Sequence, residues 1–145
     1  MSLMVDFKSP CGQYVLVFED DGKVAYGYLK DLRIRQGDPI VGEVWLYNRS
    51  QTPAEPEWTD RTKIPFANSS EYISDGGRLG KLVHPDDIRV TWEDDEHGPI
   101  AYVYIYDDLF GVVGVGDRPG YARHATKSNR LARVMQIDDE DASSI

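Results

Sequence analysis

Apolar and polar residues alternate with a period of two along most of this chain, which marks half-buried β-strands rather than helices. The clearest unit runs from Tyr14-Val15-Leu16-Val17-Phe18-Glu19-Asp20 through Asp21-Gly22 to Lys23-Val24-Ala25-Tyr26-Gly27-Tyr28-Leu29. An Asp-Gly pair between two β-rich runs has the chemistry of a two-residue type I′ turn, in which both central residues take positive φ. A loop at Asp21-Gly22 puts Phe18 opposite Ala25 and Leu16 opposite Gly27 on one face, with Val17 opposite Tyr26 on the other. Both faces are largely apolar, so the hairpin is expected inside a sheet that is covered on both sides.

Residues 40–48 read as a further strand, with Val41, Trp45 and Tyr47 on one parity and Ile40, Val44 and Leu46 on the other. Downstream, Ile88, Val90 and Trp92 alternate with Arg89, Thr91 and Glu93. Residues 94–98 turn the chain, and Ala101, Val103 and Ile105 then alternate with Tyr102, Tyr104 and Tyr106. A loop at Asp107-Asp108 sets Phe110 against Ile105, Val112 against Val103 and Gly111 across from Tyr104. Pro119-Gly120 stops that strand, and Ser128 caps a short C-terminal helix carrying Leu131, Val134 and Met135. The expected fold is mainly β: an antiparallel sheet of about 6–8 strands, built as a compact sandwich or open barrel, with that one short helix. An α+β arrangement is the alternative.

Between these units, residues 49–65 form the longest irregular stretch, punctuated by Pro53, Pro56 and Pro65. Loops of that length more often bind or move than idle. Trp58 lies within it and is expected to anchor the loop to the domain. Residues 69–73 suit either a short helix or a strand, ended by Asp75-Gly76-Gly77. With no repeat in view, residues 4–137 read as a single β-rich domain. Residues 1–3 read as an added leader ahead of Met4, and residues 138–145 as an acidic disordered tail.

Composition supports a folded chain: 145 residues with 41% hydrophobic and 11% aromatic residues can bury a core without disulfides or metals. No apolar run reaches the roughly 18 residues of a membrane span, and no secretion signal opens the chain. The single cysteine, Cys11, excludes an internal disulfide, and a cytoplasmic location is expected. The formal charge of −9 includes a terminal run of Asp138, Asp139, Glu140 and Asp141, and the body without them carries about −5. An acidic body argues against generic nucleic-acid binding, which depends on neutralising phosphates. Just upstream lies the reverse, a basic segment with Arg118, Arg123, Lys127, Arg130 and Arg133.

The familiar catalytic patterns are missing. Gly114-Val115-Gly116 with Gly120 follows a strand, but Pro119-Gly120 makes a turn where a dinucleotide loop would open a helix. The acid clusters 19–21, 93–96 and 107–108 lack the spacing of a calcium loop, and His84, His97 and His124 form no metal motif. No cofactor and no metal are therefore expected. Candidate contact residues are Trp58, the tyrosines 102, 104 and 106, the turn acids Asp94 and Asp95, and Arg118 and Arg123. Tyrosine rows suit protein or sugar contacts because each ring brings apolar area and one hydroxyl. The competing account of the row is burial beneath the long loop or the terminal helix.

Phe18-Glu19-Asp20-Asp21-Gly22 followed by Tyr26 and Tyr28, then Leu46-Tyr47-Asn48, then a strand with Trp92 and Asp94, resembles a small bacterial family of unknown function. Asp108, Phe110, Gly120-Tyr121 and Arg123 extend the resemblance, which covers residues 14 to about 123. It implies a bacterial cytoplasmic protein and transfers neither activity nor catalytic residues. The expected function is non-catalytic: an acidic protein that binds a protein partner, such as a basic toxin or enzyme that it neutralises. The alternative is a small enzyme or a sugar or small-ligand module with a tyrosine-lined cleft.

Overall fold

The computed structural model of the chain describes residues 2–49 and 52–135. Four strands, β1 (Leu3–Lys8), β2 (Tyr14–Asp20), β3 (Val24–Asp31) and β4 (Ile40–Asn48), form an antiparallel sheet in chain order. Five more, β5 (Ile88–Asp95), β6 (Gly98–Ile105), β7 (Asp108–Gly114), β8 (Tyr121–Ala122) and β9 (Arg133–Val134), form a second sheet, also in chain order. That sheet is mixed, because β8 and β9 run parallel. Helical structure among the described residues is confined to three-residue 3₁₀ turns such as Arg61–Lys63 and Ser70–Tyr72. Residues 138–145, the expected tail, lie outside the described residues, whereas Leu3 of the expected leader opens β1, opposite Asp20.

The two sheets share one core. Leu16, Phe18, Leu29, Val44 and Tyr47 from the first meet Val103, Ile105, Phe110 and Val113 from the second. Tyr47 links them directly, its ring 6.3 Å from Phe18 and 6.0 Å, edge-on, from Phe110. The sheets approach so closely that a Cβ on Gly111 would collide with the Leu46 side chain. Tyr26 and Trp45 point to the other face of β3 and β4, and both are buried there as well. The β2–β3 hairpin is thus covered on both sides, as its two apolar faces require.

Register differs from expectation at both hairpins. Phe18 pairs with Gly27 and Leu16 with Leu29, because the β2–β3 loop is Gly22-Lys23 rather than Asp21-Gly22. Only Gly22, at φ 92°, takes positive φ there, as the first central residue of a type II′ turn does. Asp21 stays in the ladder frame and its carboxylate accepts the N–H groups of Lys23 and Val24. A shift of two residues preserves every face. The β6–β7 turn, by contrast, is Tyr106-Asp107, both at positive φ (53° and 65°). Val103 then faces Gly111, and Phe110 becomes the extra residue of a bulge. That one-residue slip moves Val112 to the outer face beside Tyr102.

The expected C-terminal helix does not form. The Asn129 side chain accepts the N–H of Leu131, and Ser128 Oγ accepts that of Val134, so both side chains divert backbone donors from a helical ladder. The segment bonds outward instead: Leu131 O accepts from Trp45, and Arg133 N donates to Gly120. Leu131 and Ala132, adjacent in sequence, are both buried, a pattern of extended chain between two surfaces. The outer edge of β4 is closed by the same region, through Gly116 N to Val41 O (2.7 Å), Glu43 N to Asp117 O (2.9 Å) and Gly120 N to Glu43 O (2.8 Å).

Candidate functional site

Three places bring chemistry-bearing side chains together. On the outer face of the second sheet, Tyr102 and Tyr104 on β6 stand half-buried beside Val112 of β7 and Tyr121 of β8. The Tyr102 hydroxyl donates to Glu93 Oε2 at 3.2 Å; burial first, then this bond, raises its pKa. Arg89 stacks over the Tyr104 ring at 4.2 Å and Arg133 over Tyr121 at 4.6 Å. Among the described residues no helix covers this face, and the segment that ends at Val134 and Met135 lies beside Tyr102 and Tyr121 as extended chain. Tyr106 leaves the row, because it belongs to the positive-φ turn and is 42% exposed.

Acid groups mark both ends of that face. Asp94 and Asp95 end β5, exposed, and Asp95 accepts the N–H groups of His97 and Gly98 to hold the turn. Asp107 and Asp108 sit at the other end of β6. The basic segment does not gather into one patch. Arg118 reaches Glu43 at 3.4 Å and Arg133 reaches Asp117 at 3.2 Å, while Arg123 is exposed without an ion pair among the described residues.

The second place is a cleft of about 280 Å³ on the outer face of the first sheet. Tyr26 and Tyr28 line it with rings 5.7 Å apart and nearly parallel, and Glu43 sits across the ladder from Tyr28. The long loop folds over one side, carrying Trp58, Ile64 and Phe66, and Arg130 lines the other. Its hold on the sheet is specific. Tyr26 donates its hydroxyl to Phe66 O (2.7 Å), and Glu57 accepts from Ala67 N and pairs with Lys23 at 3.0 Å. Trp58 packs on Tyr72 at 5.5 Å. The Tyr26-x-Tyr28 spacing places both rings on one strand face, a signal visible in the sequence. Their meeting with the loop was not.

The third place is Ser74 and His124, whose Oγ and Nδ1 form a 3.0 Å hydrogen bond. A nucleophile-and-base arrangement also needs a group that orients the imidazole, and among the described residues no carboxylate hydrogen-bonds this ring. The pair instead closes a clasp: Ser74 N donates to His124 O, Thr126 N donates to Tyr72 O, and Ile73 bridges Ala125. Burial, then the neighbouring Arg123, lowers the His124 pKa. The folded protein therefore resists protonating this ring, and the unfolded chain takes up the proton first as pH falls below about 6.5. The stability this contributes is full above that value and is lost as pH drops toward the folded-state pKa. The melting temperature of the native protein should accordingly fall more between about pH 7 and pH 5 than that of His124→Gln. Equal falls in the two proteins would show that another group carries the dependence.

Among the described residues, no group of three or more His, Cys, Asp or Glu side chains comes together to hold a metal. A family model described as an uncharacterized protein conserved in bacteria (DUF2251) matches residues 1–73. The chain belongs to this family. The DUF2251 match begins upstream of the expected residue 14 and ends at 73, so the segments around Trp92, Asp108 and Gly120 lie outside it. It takes in the whole four-stranded sheet and the loop that folds over the cleft. No curated protein and no solved structure matches the chain.

Proposed function

We propose that this DUF2251 protein works by binding rather than catalysis, and that a basic protein partner docks on the tyrosine-bearing face of the five-stranded sheet. The observation that carries this reading is the layout of that face: Tyr102, Tyr104 and Tyr121 lie between turns bearing Asp94 and Asp95 at one end and Asp107 and Asp108 at the other. Aromatic rings at a centre with charge at the rim is the anatomy of a protein interface. Acidic turns speed capture of a basic partner without adding much to the stability of either protein. The absence of an oriented acid–base group at the Ser74–His124 pair weighs against a hydrolase. A basic toxin or enzyme in a reducing cytoplasm is the kind of partner the charge suits.

The test is affinity capture from a bacterial lysate, followed by measurement with the purified partner. Binding should be strong at about 0.1 M salt and weak near 1 M, where the screening length falls from about 10 Å to about 3 Å. Tyr102→Ala should speed dissociation, and Asp94→Lys, which leaves the Asp95 bonds of the turn in place, should slow association in a protein that melts like the parent. A partner indifferent to these changes, or turnover in a hydrolase screen that disappears in Ser74→Ala, would overturn the reading.

A further inference from the structure

The Tyr26–Tyr28 cleft shares no residue with the tyrosine face and has its own unspent chemistry. Burial, followed by the nearby charges of Glu19 and Glu43, pushes the Tyr28 phenol well above its ordinary pKa, so at neutral pH it is a hydrogen-bond donor. Neither its hydroxyl nor the Trp58 indole N–H has a hydrogen-bond partner among the described residues. The Arg130 guanidinium at the rim is likewise unpaired there, and the Glu43 carboxylate makes only the long 3.4 Å contact with Arg118. Exposed apolar surface continues at the mouth, where Ile64 is 62% exposed.

We infer that this cleft is a binding site for a single neutral sugar ring. The lining selects by elimination. An anion would meet Glu43, and a simple cation would meet Arg130. A hydrocarbon would leave the Tyr28 and Trp58 donors and the Glu43 acceptor without partners on desolvation, which costs more than its burial returns in so small a space. A pyranose carries an apolar C–H face that suits the aromatic walls and a rim of hydroxyls that both donate and accept. Glu43 then accepts from two neighbouring hydroxyls, as carboxylates do, while Arg130, Tyr28 and Trp58 donate to the others. Few convergent polar groups on an otherwise apolar lining is the usual composition of a ligand pocket, and the volume, near the lower limit for such pockets, fits one ring rather than a chain.

Saturation-transfer NMR with glucose, galactose, mannose and N-acetylglucosamine, beside glycine, lysine and glutamate, tests this. At least one sugar should bind with a Kd of about 1 mM, typical of a small ligand with few contacts. Glu43→Gln should weaken it tenfold or more, and Tyr28→Phe several-fold. Arg130→Ala changes an exposed side chain that holds no other group among the described residues, so it should weaken binding without moving the melting temperature. Binding of no sugar, sugar binding that survives both Glu43→Gln and Arg130→Ala, or preference for a zwitterionic amino acid would each overturn the assignment. None of these results bears on the tyrosine face, whose partner test stands apart.

Discussion

Asp20→Ala should destabilise the protein by about 3–5 kcal/mol, the usual cost of removing one member of a buried charge pair. Asp20 is fully buried, and its carboxylate accepts from the Tyr47 hydroxyl (2.8 Å), Arg49 Nη1 (3.0 Å) and the Gly22 N–H (2.9 Å). Without it, Arg49 keeps a largely buried charge whose Nε has no partner among the described residues, and Tyr47 loses the acceptor that its hydroxyl meets at the centre of the core. For a domain of this size the loss corresponds to a fall in melting temperature of roughly 10 °C. Adding Arg49→Met to Asp20→Ala should restore part of it, because the stranded cation is then gone. Urea unfolding of the parent and the two variants measures both effects. A single-variant cost below about 1 kcal/mol would mean that Arg49 escapes to solvent and that the pair contributes little.

Trp45→Ala should cost a similar amount, about 3–5 kcal/mol, by opening a cavity. The indole is completely buried, donates Nε1–H to Asn48 Oδ1 at 2.9 Å, and packs against Gly77, where an added Cβ would lie 3.0 Å from Cη2. Asn48 in turn accepts from Asn68 N and donates to Asn68 O, so one side chain joins β4 to the end of the long loop. Trp45→Phe retains most of the volume and should recover more than half the loss. Phenylalanine and alanine variants that unfold at the same urea concentration would place the cost in the Asn48 bond rather than in packing.

What the sequence disclosed follows from which signals are local. Strand parity is local, so Leu16, Phe18, Val103 and Ile105 fall inward as their alternation requires, and β4 spans the expected residues 40–48. Turn position is less so: Asp21-Gly22 and Asp107-Asp108 offered acceptable turn chemistry, but the ladders closed one residue away at Gly22-Lys23 and Tyr106-Asp107. The strand β1 gives a weak signal although Leu3, Val5 and Phe7 alternate with exposed neighbours, because six residues carry little periodicity. Leu131, Val134 and Met135 imitate a helical stripe, and only contacts with Trp45 and Gly120, distant in the chain, settle them as extended. The cleft was hidden for the same reason. Tyr26 and Tyr28 announce a face, but nothing local shows that Phe66 and Trp58 return to it.

The closure of β4 by residues 116–131 bears on how the chain is made. A ribosome delivers β1 to β4 well before Gly116, Asp117, Gly120 and Leu131 emerge, so for that interval the growing meander shows an unmated hydrogen-bonding row beside Trp45 and Leu46. The first half of the molecule is thus stickiest while it is youngest, and the arrival of residues 116–131 ends the exposure.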